Sequence, residues 1–166
     1  MAKYDTTTQD KKCIFCEIVA GRISKDLIFW EDEEFMAFLS IDPNTPGFSC
    51  VIPKKHFDSD IFKLPDGVLS RYIIAAKKVA EILENYYEDT GRVGLIVEGM
   101  GIDHTHIKLS PMHGTENLKR GEWQQFLSGK EFWFDKYEGW ISSGSGPMAD
   151  MEKLKMLAKN LKKSQE

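Results

Sequence analysis

The segment 103–111 carries two histidines and a lysine at alternate positions. Alternate residues of a β-strand share a face, so His104, His106 and Lys108 would line one side, with neighbours about 6–7 Å apart. Two imidazoles and an ammonium on one exposed face form a cationic surface that suits phosphate oxygens. A neutral imidazole there can act as a nucleophile or a general base near neutral pH. The same alternation is typical of any half-exposed strand, and that alternative stays open.

A second constellation is the pair Cys13 and Cys16, whose spacing places two thiolates within reach of one Zn²⁺, at Zn–S distances of about 2.3 Å. A structural tetrahedral site needs two further ligands, for which His56 and His104 are candidates. The alternatives are a redox pair or two free cysteines, although a thioredoxin-like pair would need a βαβ context that the sequence does not show. Cys50 lies in an apolar segment and is expected to be a core residue.

Composition narrows the functional class. The 166 residues fit one domain, and 22 Lys and Arg against 26 Asp and Glu give a formal net charge of −4. This balance argues against a dedicated nucleic-acid-binding protein. No apolar run approaches the roughly 20 residues that cross a bilayer, and the polar start MAKYDTTTQDKK argues against a secretory signal. With three cysteines, we expect a reduced, cytoplasmic chain.

The elements that must position these residues follow from the apolar pattern. Five β-prone segments predict strands at 27–30, 35–39, 48–52, 94–98 and about 103–109. Residues 65–88 predict the main helix, with Gly91 as its C-terminal cap. Its predicted apolar stripe comprises Leu69, Ile73, Ala76, Ala80, Leu83 and Tyr87. The last two strands are joined too briefly for a crossover helix, so we expect an antiparallel hairpin in an α+β domain.

The pattern after Pro111 is weaker. Residues 131–140 are rich in aromatic side chains, which we expect to be packed. The stretch 142–147 has the composition of a short linker. Residues 148–162 place apolar side chains on one face and lysines on the other, which predicts a final helix.

Four segments, in this order, resemble the histidine-triad (HIT) superfamily across residues 13–112. They are Cys13-Ile-Phe-Cys16-Glu-Ile-Val-Ala-Gly-Arg-Ile23, Phe38-Leu-Ser-Ile-Asp-Pro43, Val51-Ile-Pro-Lys-Lys-His56, and His104-x-His106-x-Lys108 with Pro111 after it. The resemblance implies a five-stranded antiparallel sheet with one long helix packed on it, and a homodimer. It also implies a nucleotide-binding domain over 13–114 and a C-terminal helical extension, 115–166, that packs on the same domain.

The resemblance implies chemistry as well. Members of the superfamily bind purine nucleotides or dinucleotides, and many attack the α-phosphate of a nucleoside phosphoramidate or a dinucleoside polyphosphate. His106 matches the histidine that forms a nucleotidyl-histidine intermediate, which water cleaves, and His104 matches the residue that orients it. The implied nucleotide contacts are Ile14, Phe15, Ile18, Phe38, Ser40 and Lys108. The implied ligands of one structural Zn²⁺ per chain are Cys13, Cys16, His56 and His104.

Four positions depart from the superfamily pattern. Lys108 replaces the third motif histidine; an ammonium can neutralise a phosphate oxygen but cannot both donate and accept as imidazole does. Ser40, Phe48 and Gly101 replace supporting polar groups. Two alternatives to a hydrolase therefore remain: a nucleotidyl transferase or phosphorylase that uses a phosphate acceptor, and a nucleotide-binding protein with little catalysis.

Overall fold

The computed structural model describes residues 13–23, 25–123, 129–137, 139–144 and 146–163, so the polar start of the chain lies outside the described residues. The main elements are α1 (Ile14–Val19), β1 (Ile28–Glu31), β2 (Phe35–Leu39), β3 (Ser49–Pro53), α2 (Asp66–Tyr86), β4 (Thr90–Ile96), β5 (Ile107–His113) and α3 (Met151–Lys163). Two short 3-10 helices lie at Ile61–Lys63 and Glu116–Arg120.

The five strands form one antiparallel sheet in the order β1-β2-β3-β5-β4. The predicted α+β fold, with one long helix packed on this sheet, is confirmed. The largest differences from the predicted boundaries are in the last two strands: β4 begins earlier, at Thr90, and ends at Ile96, and β5 begins later, at Ile107, and ends at His113. The expectation that Gly91 caps α2 is wrong, because Gly91 lies within β4. A Cβ at Gly91 would lie 2.1 Å from the carbonyl oxygen of Thr115, so only glycine permits this close approach.

β2 and β3, in the middle of the sheet, are buried on both faces, which explains why they are almost continuously apolar. Side chains of one face pack against α2; Phe35 stacks on Tyr72 with ring centroids 5.2 Å apart. The opposite face packs against α1. The buried residues of this second cluster are Phe15, Met36, Phe38, Cys50 and Ile52. Cys50 is a core residue, as expected.

The face of α2 that contacts the sheet differs in part from the predicted stripe. The buried residues of α2 are Tyr72, Ala75, Ala76, Val79 and Leu83. Ile73, predicted to be on the buried face, is 42% exposed. The helix has apolar side chains on more than one face, so their spacing alone did not select the buried one.

His113, at the end of β5, ties three parts of the chain together. Its Nδ1–H donates to the Asp89 carboxylate at 3.0 Å, and its Nε2–H donates to the carbonyl oxygen of Pro46 at 3.1 Å. Its ring also contacts the edge of Tyr87. The Pro46 carbonyl and the Asp89 carboxylate raise the pKa of His113, since both stabilise the protonated ring. The loop before β3 is therefore attached to the ends of α2 and β5.

The chain divides into two compact units, 1–123 and 124–166. The 3-10 helix at Glu116–Arg120 packs against β4 in the first unit. In the second unit, the predicted final helix is present as α3, and Phe132, Phe134 and Trp140 contact one another through their rings. Among the helices of the described residues, none has the length and apolarity needed to traverse a bilayer.

Candidate active site

The two motif histidines lie immediately before β5, and not within it. The prediction that strand alternation exposes them on one face is therefore wrong: His104 is fully buried and His106 is 4% exposed. The backbone around them is held by hydrogen bonds from Thr105 N to Phe57 O at 3.0 Å and from Ile107 N to the Tyr72 hydroxyl at 3.0 Å. The position of His106 is thus set by α2 and by the loop after β3.

Tyr72 connects three elements beside His106. Its hydroxyl donates to the carbonyl oxygen of Val51 in β3 at 2.6 Å while it accepts from the Ile107 amide at the start of β5. The side chain is fully buried, and burial raises the pKa of Tyr72, so the hydroxyl stays protonated. One phenol of α2 therefore fixes where the chain enters β5.

The protonation state of His106 follows from its backbone contact. Nδ1 lies 2.8 Å from the carbonyl oxygen of His104, which can only accept, so Nδ1 carries the proton. Burial, followed by the Lys108 ammonium, lowers the pKa of His106, whereas the Glu98 carboxylate acts in the opposite direction. The ring is therefore neutral at pH 7, with a free electron pair on Nε2.

Nε2 of His106 is the atom available for chemistry. It has no hydrogen-bond partner in the part of the chain that the structure describes. Within that part, Thr105 Oγ1 is the one fully buried side-chain nitrogen or oxygen atom that lacks a hydrogen-bond partner. Nε2 of His106 also lacks a partner there, so it is not fully buried and retains some contact with solvent. An unpaired imidazole nitrogen at a solvent-accessible position is suited to nucleophilic attack.

An apolar wall adjoins this ring. Phe15 meets the rings of His106 and Phe38 at centroid distances of 5.6 Å and 5.5 Å. Ile14 and Ile18 pack against the same cluster from α1. Four of the six expected nucleotide contacts are thus brought together on the sheet face opposite α2.

Ser40 lies at the end of β2, directly after the strand that carries Phe38. Its amide donates to the carbonyl oxygen of Phe48 at 2.9 Å, and its hydroxyl accepts from the Asp42 amide at 3.2 Å. These bonds close the loop between β2 and β3, which His113 holds from its other side.

Lys108 points to the face of the sheet that lies opposite α2, where Cys50 and Ile96 are its neighbours on the adjacent strands. Its ammonium pairs with the Glu98 carboxylate. Sequence analysis did not single out Glu98. The register between β4 and β5 is what brings the two residues together: Ile96 is opposite Lys108, and Glu98 follows Ile96 by two positions.

The four predicted metal ligands converge. Their ligand atoms, from Cys13, Cys16, His56 and His104, all lie within 4.8 Å of one another. His104 Nδ1 lies 3.4 Å from Cys13 Sγ and 3.7 Å from Cys16 Sγ, and His56 Nδ1 lies 3.4 Å from Cys16 Sγ. A tetrahedral Zn²⁺ site requires sulfur–nitrogen separations of about 3.5 Å. The geometry therefore fits a metal ion.

The chemistry of the ligands fits as well. His104 Nε2 lies 2.9 Å from the carbonyl oxygen of Pro53 and must donate to it, which leaves the electron pair of Nδ1 directed toward the cysteines. Burial lowers the pKa of His104 to about 4, so the ring is neutral. Burial also raises the pKa of Cys16 to about 11, and a bound cation would favour the thiolate instead. Both cysteines are free thiols.

Comparison with known proteins assigns the family. A model of the HIT domain matches residues 22–111. The chain belongs to the HIT domain family. This HIT protein is 34% identical, over 119 residues, to an uncharacterized HIT-like protein of Methanocaldococcus jannaschii; the match covers 66% of this chain and 88% of that protein. It is 30% identical, over 121 residues, to an adenosine 5′-monophosphoramidase of Saccharomyces cerevisiae, with coverage of 66% and 73%.

A solved structure extends the similarity of the HIT protein to most of its length. A HIT family member from Bacillus subtilis superposes with a TM-score of 0.61 and 26% sequence identity, covering 92% of this chain and 96% of that one. The matched HIT domain includes His56, Glu98 and the motif at 104–108, but it begins after Cys16. Both cysteines of the candidate metal-ligand cluster therefore come from a segment that precedes the matched domain.

Proposed function

We propose that this protein is a nucleotide hydrolase that cleaves at the α-phosphate of a nucleoside phosphoramidate or a dinucleoside polyphosphate. The observation that carries the proposal is the hydrogen bond from His106 Nδ1 to the His104 carbonyl, because it leaves Nε2 as a neutral, unpartnered nucleophile. The relative named as an adenosine 5′-monophosphoramidase supports the phosphoramidate as a substrate class.

The reaction has two steps. Nε2 of His106 attacks phosphorus, and the bond to the leaving group breaks; the leaving group keeps the electron pair and takes a proton from solvent. The ring is then a nucleotidyl-imidazolium, and the His104 carbonyl stabilises its positive charge through the Nδ1–H bond. Water then attacks the same phosphorus and releases a proton to solvent, the P–N bond breaks with its electrons returning to Nε2, and a nucleoside monophosphate leaves.

Other residues of the site bind the nucleotide in this proposal. Ile14, Phe15, Ile18 and Phe38 form the wall against a purine base, since they are clustered and apolar. Ser40 lies at the end of β2, where its hydroxyl serves the ribose. Lys108 supplies the positive charge for the phosphate.

We further propose that Cys13, Cys16, His56 and His104 hold one structural Zn²⁺ per chain. When bound, the ion links the start of α1 to the segment that carries His106, and so adds to the stability of the folded site. His104 then acts twice: its side chain is a ligand, and its carbonyl orients His106.

A second copy of the chain is the protein partner that we propose. Apolar side chains of α2 lie exposed in a single chain, which favours a homodimer. They are Ile73, Ile74 and Ile82. Sedimentation velocity at micromolar concentration should give a dimer, and a monomer at every concentration would contradict this expectation.

The hydrolase is tested with adenosine 5′-phosphoramidate and diadenosine tetraphosphate as substrates. The wild-type protein should release AMP, and mass spectrometry of quenched protein should find adenylate on His106. His106→Asn should abolish turnover. The variant should unfold at a urea concentration similar to that at which wild type unfolds. A folded His106→Asn protein that keeps its full rate would refute the role of His106, and absence of AMP release from wild type would refute the hydrolase.

Nucleotidyl transfer is the second candidate, and Lys108 at the third motif position is the observation that favours it. The same intermediate would pass its nucleotide to phosphate or a sugar phosphate in place of water. Adding either acceptor to the assay discriminates the two: a transferase forms the new anhydride faster than AMP, whereas a hydrolase yields AMP at an unchanged rate. Nucleotide binding with neither product would identify a binding protein.

A further inference from the structure

The ion pair between Lys108 and Glu98 lies beside the nucleophile. Ile96 of β4 is opposite Lys108 of β5, and Glu98 follows two residues later, so its side chain shares the face of Lys108. That face also carries Cys50, the neighbour of Lys108 on β3, and Phe38, the neighbour of Cys50 on β2. The pair therefore borders the apolar wall on which Phe15 and His106 meet.

Both charged groups are largely shielded from water. The Lys108 side chain is 26% exposed and that of Glu98 is 14% exposed. Opposite charges interact more strongly in such surroundings than on an open surface, because the effective dielectric constant is lower. The ammonium and the carboxylate also act on His106 with opposite sign. A ligand at this site is therefore exposed to the combined electric field of the ammonium and the carboxylate, and not to that of an isolated ammonium.

The charge of the phosphate group changes during the proposed reaction. The α-phosphate of a phosphoramidate or a dinucleoside polyphosphate carries one negative charge. The phosphate of a released nucleoside monophosphate carries two above its second pKa, which is about 6. An isolated lysine would bind the doubly charged product more tightly than the substrate, whereas a carboxylate next to that lysine repels the additional charge.

We propose that Glu98 is a specificity-determining residue, which acts through Lys108 so that the phosphate subsite accepts a singly charged phosphate and disfavours a phosphate monoester dianion. This inference rests on the proposed function, since it requires a phosphate at Lys108. It also gives a physical reason for product release: the second negative charge appears on the product when water cleaves the intermediate. Glu98 thus gives the site a selectivity for the charge of the phosphate that the histidine motif alone does not provide.

The test is a comparison of two ligands that differ in one charge. AMP and its methyl phosphate ester are titrated calorimetrically against wild type and Glu98→Gln, well above the second pKa of phosphate. Glu98→Gln keeps the size of the side chain and removes its charge, so it should bind AMP about tenfold more tightly and the singly charged methyl ester only about threefold more tightly, because Coulomb repulsion scales with the charge of the phosphate. Glu88→Gln is the matched control: Glu88 is exposed and precedes β4, whereas Glu98 follows it.

The outcomes separate the inference from the function. Equal changes for the two ligands, or no change, would overturn the role of Glu98 while the hydrolase stands. Failure of wild type to bind either ligand would refute the phosphate site, and the inference with it. If Glu98→Gln does not fold, the affinities of wild type for AMP and for the methyl ester are compared as pH rises through about 6. The affinity for AMP should not increase relative to that for the methyl ester. A tenfold relative increase would overturn the inference.

Discussion

Replacing Tyr72 by phenylalanine removes one buried oxygen atom that joins three elements. The hydroxyl donates to Val51 O at 2.6 Å and accepts from Ile107 N at 3.0 Å, and the ring remains stacked on Phe35 in the variant. The substitution therefore tests two hydrogen bonds without removing apolar contacts. Because Ile107 directly follows His106, the substitution also tests how the proposed nucleophile is positioned.

The expected magnitude follows from the two groups left without a partner. A buried donor or acceptor that loses its hydrogen bond costs about 1–3 kcal/mol. Tyr72 is fully buried, so the Val51 carbonyl and the Ile107 amide gain no ready access to water. We expect Tyr72→Phe to lower the free energy of unfolding by about 2–4 kcal/mol, which is large for the loss of a single atom.

Urea unfolding of wild type and variant measures this loss, and Tyr86→Phe is the control. Tyr86 lies on the same helix but is 77% exposed, so its substitution should change stability by less than about 0.5 kcal/mol. Under conditions where both variants are folded, Tyr72→Phe should also lower kcat for adenosine 5′-phosphoramidate by about tenfold, since small displacements of a nucleophile are costly. Equal stability and equal kcat for the two variants would refute the reasoning.

Three further outcomes are expected. The pKa of His113 is raised and that of Asp89 is lowered, so the pair stabilises the protein between about pH 4 and pH 6.5 and loses this effect as pH rises through the raised pKa of His113. Urea unfolding should therefore show His113→Asn to be more destabilising at pH 5.5 than at pH 9, and a constant difference would contradict the pairing. Elemental analysis of protein purified without chelators should find about one zinc per chain, and metal-free protein would refute the zinc site. Cys13→Ser should lose this metal and lower the urea midpoint more than Cys50→Ser, and unchanged metal content in Cys13→Ser would exclude it as a ligand.

Much of the fold and the members of the candidate metal-ligand cluster could be predicted from the sequence, because the relevant information is either local or ordered along the chain. Continuous apolar segments predicted β2 and β3, and a gap too short for a helix predicted the β4–β5 hairpin. The spacing of Cys13 and Cys16 makes two candidate ligands local, and the structure brings the other two predicted candidates, His56 and His104, next to them.

The structure differs from the sequence-based prediction where contacts between residues that are far apart along the chain determine the fold. The Tyr72 hydroxyl bonds residues 21 and 35 positions away, and no spacing along the chain indicates this. The buried face of α2 is chosen by the sheet, since the helix has apolar side chains on several sides. Pairing of Glu98 with Lys108 depends on the register between β4 and β5, which begin and end at other residues than the pattern suggested.

The burial of His104 is likewise explained by its contacts in the folded chain. Histidine is usually at least partly exposed, yet every polar group of this side chain is matched: Nε2–H donates to Pro53 O, and Nδ1 faces the two thiols. Its carbonyl accepts from His106 Nδ1. A backbone carbonyl is present whatever side chain stands at 104 or 108, so the tautomer of His106 does not depend on a third histidine. Lysine at 108 therefore leaves the electron pair on Nε2 of His106 available, and in the proposed function its effect falls on the charge of the phosphate that the site accepts.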